Sequence, residues 1–259
     1  SQGLARAGAH SGGRANYGQV DINHDFNLVF FKIKDFNDPT SLIDSLWLLN
    51  FQVKKGKLNL LSIPTDEILP TLKGSGKVKV AALYGLSQLG DDQELSVFSR
   101  TLSLTLGLPI DGVFYADGAG FEKLSRTVDG RLEALTEAWP VAKSLNLLKS
   151  FLLLGSAYKT NLSGASFVNL LSFLAVHFPS EVKRFSVGNI YYAPEKLDLL
   201  LRVNFVDSEA EAERLKIIVL NGAGKTGLAY GLGRLSSNLG LNLLSTGNSE
   251  DGQIYADSI

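Results

Sequence analysis

The chain has no cysteine and no methionine in 259 residues. Without cysteine there are no disulfides, no thiol nucleophile and no cysteine-ligated metal. Histidine is scarce as well, and His10, His24 and His177 lie in unrelated contexts that form no zinc pattern. His177, inside the apolar stretch LLSFLAVHF, reads as a partly buried core histidine. No apolar run approaches the roughly 18 residues of a membrane-spanning helix. A basic block is also missing, and with a net charge of −1 the chain lacks the footprint of a nucleic-acid surface. The opening Ser1-Gln2-Gly3 and the Gly/Ala/Ser-rich run to Gly18 read as a processed or added start. Residues 1–24 are expected to form a flexible arm, which leaves room for a membrane anchor upstream.

What remains is a globular composition, 45% apolar and 20% charged, long enough for one large or two smaller domains. Phe26 to Lys34, Leu46 to Val53 and Leu58 to Ile63 read as strands, the last two joined by a Lys54-Lys55-Gly56-Lys57 hairpin turn. Those lysines suit a solvated tip that blunts a sheet edge. Val78 to Leu86, Leu95 to Leu106 and Gly118 to Val128 read as helices, with a short strand at Val113 to Ala116. Ser144 to Tyr158 and Ala165 to Phe178 are apolar on most sides and read as buried helices. Leu197 to Phe205 alternates like a strand, and the charged Glu209 to Arg214 reads as a hinge between domains. Strands and helices mixed in this order predict an α/β fold, a layered mixed sheet flanked by helices with a small C-terminal β-α-β module.

That module lies in Lys216 to Asn248. An apolar run, Ile217 to Asn221, is followed by Gly222, Gly224 and Gly227 in G-x-G-x-x-G spacing, a helical leucine pattern and a second apolar run from Leu241 to Ser245. In a dinucleotide site such glycines bring backbone N–H groups onto a pyrophosphate. Here the ribose-binding carboxylate is missing, because the second strand runs into Thr246-Gly247-Asn248. Gly224-Lys225-Thr226 resembles the end of a P-loop, but Val219 occupies the leading glycine position. A β-α turn, with glycines for chain reversal and close helix–strand packing, is the favoured reading.

Two resemblances add to this. Val219, Leu220, Asn221, Gly222, Gly224, Gly227, Leu228, Ala229, Gly247 and Asn248 follow the pattern of the LytR C-terminal domain, an extracytoplasmic β-α-β module. That domain carries a further helix and strand, so the module here is partial. Upstream, Asp44-Ser45, Ser62-Ile63-Pro64-Thr65-Asp66, Lys77 with Tyr84-Gly85, Gly107 to Asp111, and Asp117 with Gly120-Phe121 fall in the order and spacing of the LytR-CpsA-Psr (LCP) domain. The expected organisation is an arm at 1–24, an LCP-like α/β domain at 25–208 and the partial module at 214–259.

The resemblance implies Mg²⁺-assisted transfer of a glycopolymer from a polyprenyl-pyrophosphate carrier to peptidoglycan, outside the cytoplasmic membrane. Arginines would clamp the pyrophosphate through bidentate bonds. This chain departs at those positions: Leu42 and Thr65 replace two arginines, and no arginine cluster follows Arg131. Asp44 and Asp66 could hold a metal, or serve as turn and cap residues. Lys77, Lys79 and Arg126 could supply positive charge, or be solvated surface cations. The expectation is a non-catalytic envelope protein that binds a wall glycopolymer or polyprenyl lipid, or acts as a scaffold, with an active phosphotransferase as the alternative. Self-association through the edge of the C-terminal sheet is a further expectation.

Overall fold

A computed structural model of the chain describes residues 20–70, 76–88, 94–127, 158–176, 179–224 and 226–249. Among them a six-stranded mixed sheet has the order β7-β6-β1-β2-β3-β8. Its centre is an antiparallel meander of β1 (Phe26–Ile33), β2 (Ile43–Gln52) and β3 (Lys57–Ile63). β6 (Gly112–Ala116) lies parallel to β1, β8 (Glu181–Ser186) lies parallel to β3, and the short β7 (Lys159–Thr160) closes one edge. A separate ribbon pairs β4 (Ile68–Pro70) with β5 (Lys77–Lys79).

Period-two alternation sends opposite halves of each strand into two cores. Val29, Phe31 and Ile33 face α1 (Leu83–Gln88), α2 (Glu94–Leu106) and α5 (Pro194–Asn204), packing with Tyr84, Phe98, Leu102, Leu197 and Leu201. Phe26 and Leu28 face the other way, onto Leu170 and Phe173 of α4 (Gly164–Val176). α3 (Gly118–Thr127) lies on that side too, its Phe121 against Phe30 and Trp47. The layered α/β architecture is therefore the one the sequence predicts.

Several elements differ from expectation. Leu197 to Phe205 is helical rather than a strand. Pro194 opens the helix, where its fixed φ suits the first turn, and Leu197 and Leu201, one turn apart, are fully buried. The alternation that suggested a strand leaves Leu199 and Val203 exposed. The helix expected from Val78 starts at Val80 with a 3₁₀ turn, because Lys77–Lys79 pairs with β4 and the Val80 N–H donates to the Glu67 carbonyl. Glu209 to Arg214 is not an open hinge. It lies largely within α6 (Ser208–Glu213), whose N-cap Asp207 accepts from the Glu209 and Ala210 N–H groups.

The hairpin lysines are paired rather than merely solvated. Lys54 bonds Glu209, Lys55 lies 3.4 Å from Glu211, and Lys57 lies 2.8 Å from Glu181. In the expected arm, Val20 is buried and His24 Nδ1 lies 2.6 Å from Glu209 Oε2, while residues 1–19 fall outside the described residues. The helix expected at Ser144 to Tyr158 also lies outside them, apart from Tyr158, as does His177.

The C-terminal unit is a β-α-β of β9 (Lys216–Asn221), α7 (Leu228–Asn238) and β10 (Asn242–Asn248), with the strands parallel. It docks on the main body through a buried ion pair. Arg234 Nε donates to both oxygens of Asp198 at 2.7 and 2.8 Å, and its Nη1 reaches the Thr105 carbonyl at 2.8 Å. Asn238 Nδ2 donates to Asp198 at 3.0 Å and to the Leu106 carbonyl at 3.4 Å. These two side chains thus satisfy the last carbonyls of α2, which have no partner within the helix.

Candidate functional site

β1, β3, β6 and β8 all run in one direction, so their C-terminal ends share one edge of the sheet. Ligands of open α/β sheets collect at such an edge, where loops diverge from rigid strands. Here the leaving segments are 34–42, 64–67 and 187–193, with Asp117 directly after β6.

Asp44 lies at this edge, near the start of β2. Its Oδ2 is 3.6 Å from Nζ of Lys32, and both side chains are about one-third exposed. The ammonium also sits 5.4 Å from the Phe121 ring centroid. Lys32 is the polar interruption in an otherwise apolar stretch of strand, which is the one sequence signal that could have singled it out. Neighbouring carboxylates have local work. Asp117 Oδ1 accepts from the Gly120 N–H at 2.6 Å and caps α3. Asp38 accepts from the hydroxyl and N–H of Thr40, bonds that hold its carboxyl below the usual range.

Asp66 is exposed in the turn after β3, and the next residue does something the sequence did not announce. The Glu67 carboxylate crosses to the loop after β8 and accepts from two successive amides, Asn189 at 2.5 Å and Ile190 at 3.0 Å. Lys77 follows on β5, its Nζ 4.3 Å from the Tyr191 ring centroid and 6.0 Å from that of Tyr192. Lys79 is exposed opposite Ile68. Asp44, Asp66, Lys77 and Lys79 thus share one edge. Arg126 belongs to α3, but its side chain lies outside the described residues. The positions expected to carry arginine hold an exposed Leu42 and a half-buried Thr65, whose carbonyl accepts from the Ala81 N–H.

A resident Mg²⁺ does not fit this arrangement well. Asp44 is engaged by Lys32, and no group of three or more acidic or histidine side chains converges among the described residues. Magnesium binds through only one or two carboxylates where substrate phosphates and water complete its shell, so Asp44 and Asp66 alone make no closed site.

In the C-terminal unit, Gly224 and Gly227 have φ of 62° and 80°, so they serve chain reversal. Close packing belongs to Gly233, a glycine outside the motif, where a Cβ would lie 2.5 Å from Thr246 Cγ2. Lys225 lies outside the described residues.

The sequence matches no protein-family model and no curated protein. In chain path the molecule is similar to solved structures. For TagV of B. subtilis the TM-score is 0.48 at 17% identity, covering 63% of this chain and 84% of that one. For the transcriptional regulator yvhJ from Bacillus subtilis it is 0.47 at 19% identity, covering 63% and 82%. For the LytR-CPS2A-psr family protein YwtF (TagT) with bound octaprenyl pyrophosphate lipid it is 0.45 at 16% identity, covering 65% and 80%.

Proposed function

We propose that this chain is a non-catalytic, LCP-like protein of the bacterial cell envelope, acting outside the cytoplasmic membrane. It binds a wall glycopolymer or its polyprenyl carrier at the C-terminal strand edge, or holds an envelope assembly together there. Residues 25–208 are the binding body and 214–259 a partial accessory module. The observation that carries this reading is the chemistry at the two arginine positions. Leu42 and Thr65 cannot make bidentate phosphate bonds, and the ammonium of Lys32, 3.6 Å from Asp44, is already paired with it. Charge-assisted bonds contribute roughly 1.5–3 kcal/mol each, and clamps on a developing phosphate charge more. An edge that keeps its carboxylates and lacks those clamps suits binding without turnover.

Native mass spectrometry with undecaprenyl pyrophosphate and Mg²⁺ tests this. The expected result is a stoichiometric lipid adduct, weakened in Asp66→Ala, with no release of undecaprenyl phosphate. Release that Lys77→Ala or Arg126→Ala abolishes would overturn the non-catalytic reading in favour of a phosphotransferase. Absence of any adduct at tens of micromolar would leave only the scaffold. The reading includes self-association through the edges of the β9–β10 pair, which no other described strand covers, and it should give a concentration-dependent mass in light scattering.

A further inference from the structure

We infer that Tyr191 and Tyr192, with Lys77 beside them, form a saccharide subsite that stacks a pyranose ring. The inference rests on the glycopolymer reading above and names the residues that would hold the sugar rather than the lipid. Tyr192 is 69% exposed, the highest value for any large apolar or aromatic side chain among the described residues. A lone exposed aromatic is ordinary. This one stands on a segment that the fold holds rigidly.

Four contacts fix that segment. Glu67 grips the Asn189 and Ile190 amides, Asn189 takes a left-handed φ of 59°, and its carbonyl accepts from the N–H groups of Tyr192 and Ala193. Ile190, between them, is a buried anchor at 2% exposure. Pro194 then starts α5 directly behind the tyrosines. The two rings meet edge to face, 5.1 Å apart at 84°. Nζ of Lys77 sits 4.3 Å from the Tyr191 centroid, leaving the exposed Tyr192 as the ring presented to solvent.

A pyranose offers an apolar C–H face and a rim of hydroxyls that both donate and accept. An aromatic ring that carries its own hydroxyl, with an ammonium donor beside it, answers both needs. An acyl chain needs continuous apolar surface instead, and the neighbours Gly188 and Asn189 are exposed and offer none. The pairing of Lys77 with Tyr191 also holds the donor in place before a ligand arrives.

The test uses the whole chain with N-acetylchitotetraose and maltotetraose as soluble probes, read by saturation-transfer NMR and calorimetry. At least one probe should bind wild type. Tyr192→Ala should weaken that binding about tenfold, the scale of one aromatic stacking contact, while Tyr192→Trp should retain it. Circular dichroism should show both variants folded, because Tyr192 lies on the surface. Undecaprenyl pyrophosphate adducts should persist in Tyr192→Ala, which separates the sugar subsite from the lipid site. Equal binding by wild type and Tyr192→Ala would overturn the subsite and leave the proposed function standing, as would lipid binding without any sugar binding. Failure of both ligands would overturn the subsite and the ligand-binding part of the proposed function together, leaving only the scaffold.

Discussion

The two ends of the main sheet use polar residues in opposite ways. At the C-terminal ends of the parallel strands Asp66, Lys77 and Lys79 face solvent. At the other end, beneath the exposed and ion-paired hairpin lysines, a set of polar side chains is buried and bonded together. Asn59 donates to Asn50 at 3.0 Å and Asn50 to Asn27 at 3.0 Å, an amide ladder across three neighbouring strands. Asn59 and Gln52 continue it onto the carbonyls of Asn204 and Val206, where α5 ends. Asp25 accepts from the Val53 and Ser208 N–H groups. Buried amides are tolerable because nearly every donor and acceptor is used. The closed end therefore spends its buried polar groups on the fold, while the other keeps Asp66, Lys77 and Lys79 exposed beside carboxylates that are engaged locally.

The largest expected effect lies where the C-terminal unit joins this closed end. Asp198→Ala removes the partner of Arg234, whose guanidinium is largely buried. Uncompensated charges of this kind cost about 3–5 kcal/mol, so the urea midpoint should fall sharply. Asp198→Ala combined with Arg234→Met should recover much of the loss. If the single variant is as stable as wild type, the ion pair does not hold the unit.

Next comes the ladder. Asn50→Ala strands the Asn27 side-chain Oδ1 and deprives an Asn59 side-chain N–H of an acceptor. Two unsatisfied buried groups, both neutral and so in the lower part of the range at about 1–2 kcal/mol each, predict a loss of about 2–4 kcal/mol. A loss below about 0.5 kcal/mol would mean that water reaches this end and that the contrast between the ends is shallow.

Much of this fold is legible in the sequence, and its failures have physical causes. The FNLVFFKIK strand, the hairpin and the β-α-β unit carry strong local patterns. Leu197 to Phe205 satisfies both periods, and only the sheet beneath it decides for a helix. Glu181–Ser186 is a charged strand at the sheet edge, and its pairing with β3 leaves no apolar alternation to read. At the open edge, the resemblance to the LCP domain singled out Asp44, Asp66 and Lys77, and Lys79 entered beside them as a possible source of positive charge. Glu67, Tyr191 and Tyr192 escaped because their relation spans more than 120 residues of chain and exists only after β3 and β8 pair. Asn27, Asn50 and Asn59 look like three unrelated interruptions until the register aligns them.

A third prediction concerns Asp111, also at the closed end. Burial pushes its carboxyl up to about 6, against the opposing bond from the Asn27 N–H, and the nearby Asp207 carboxylate pushes the same way as burial. A carboxyl that holds its proton more tightly when folded favours the folded state at low pH. That advantage shrinks as pH rises from about 4 to about 6 and is gone above. Asp111→Asn keeps an acceptor for the Asn27 N–H and removes the charge. It should therefore gain stability over wild type across that window, by no more than about 3 kcal/mol from a two-unit shift, with no gain below about pH 4. Denaturation at pH 4, 5, 6 and 7 measures it, and a difference that is constant with pH would refute the assignment.

The smallest effect is expected at the open edge, and there its smallness is the point. Asp66 is exposed, and Lys77 is an exposed cation resting on a ring, a contact that contributes roughly 0.5–1 kcal/mol at such sites. Asp66→Ala should leave the urea midpoint within about 0.5 kcal/mol of wild type, the usual range for surface changes. Lys77→Ala should cost no more than its ring contact. Both variants should still weaken binding, Asp66→Ala toward the lipid pyrophosphate with Mg²⁺ added and Lys77→Ala toward the oligosaccharide. Residues that matter to a ligand and hardly at all to the fold are what an open edge predicts. If either substitution instead costs as much as Asn50→Ala, the edge is structural, and the polar groups there serve the molecule itself.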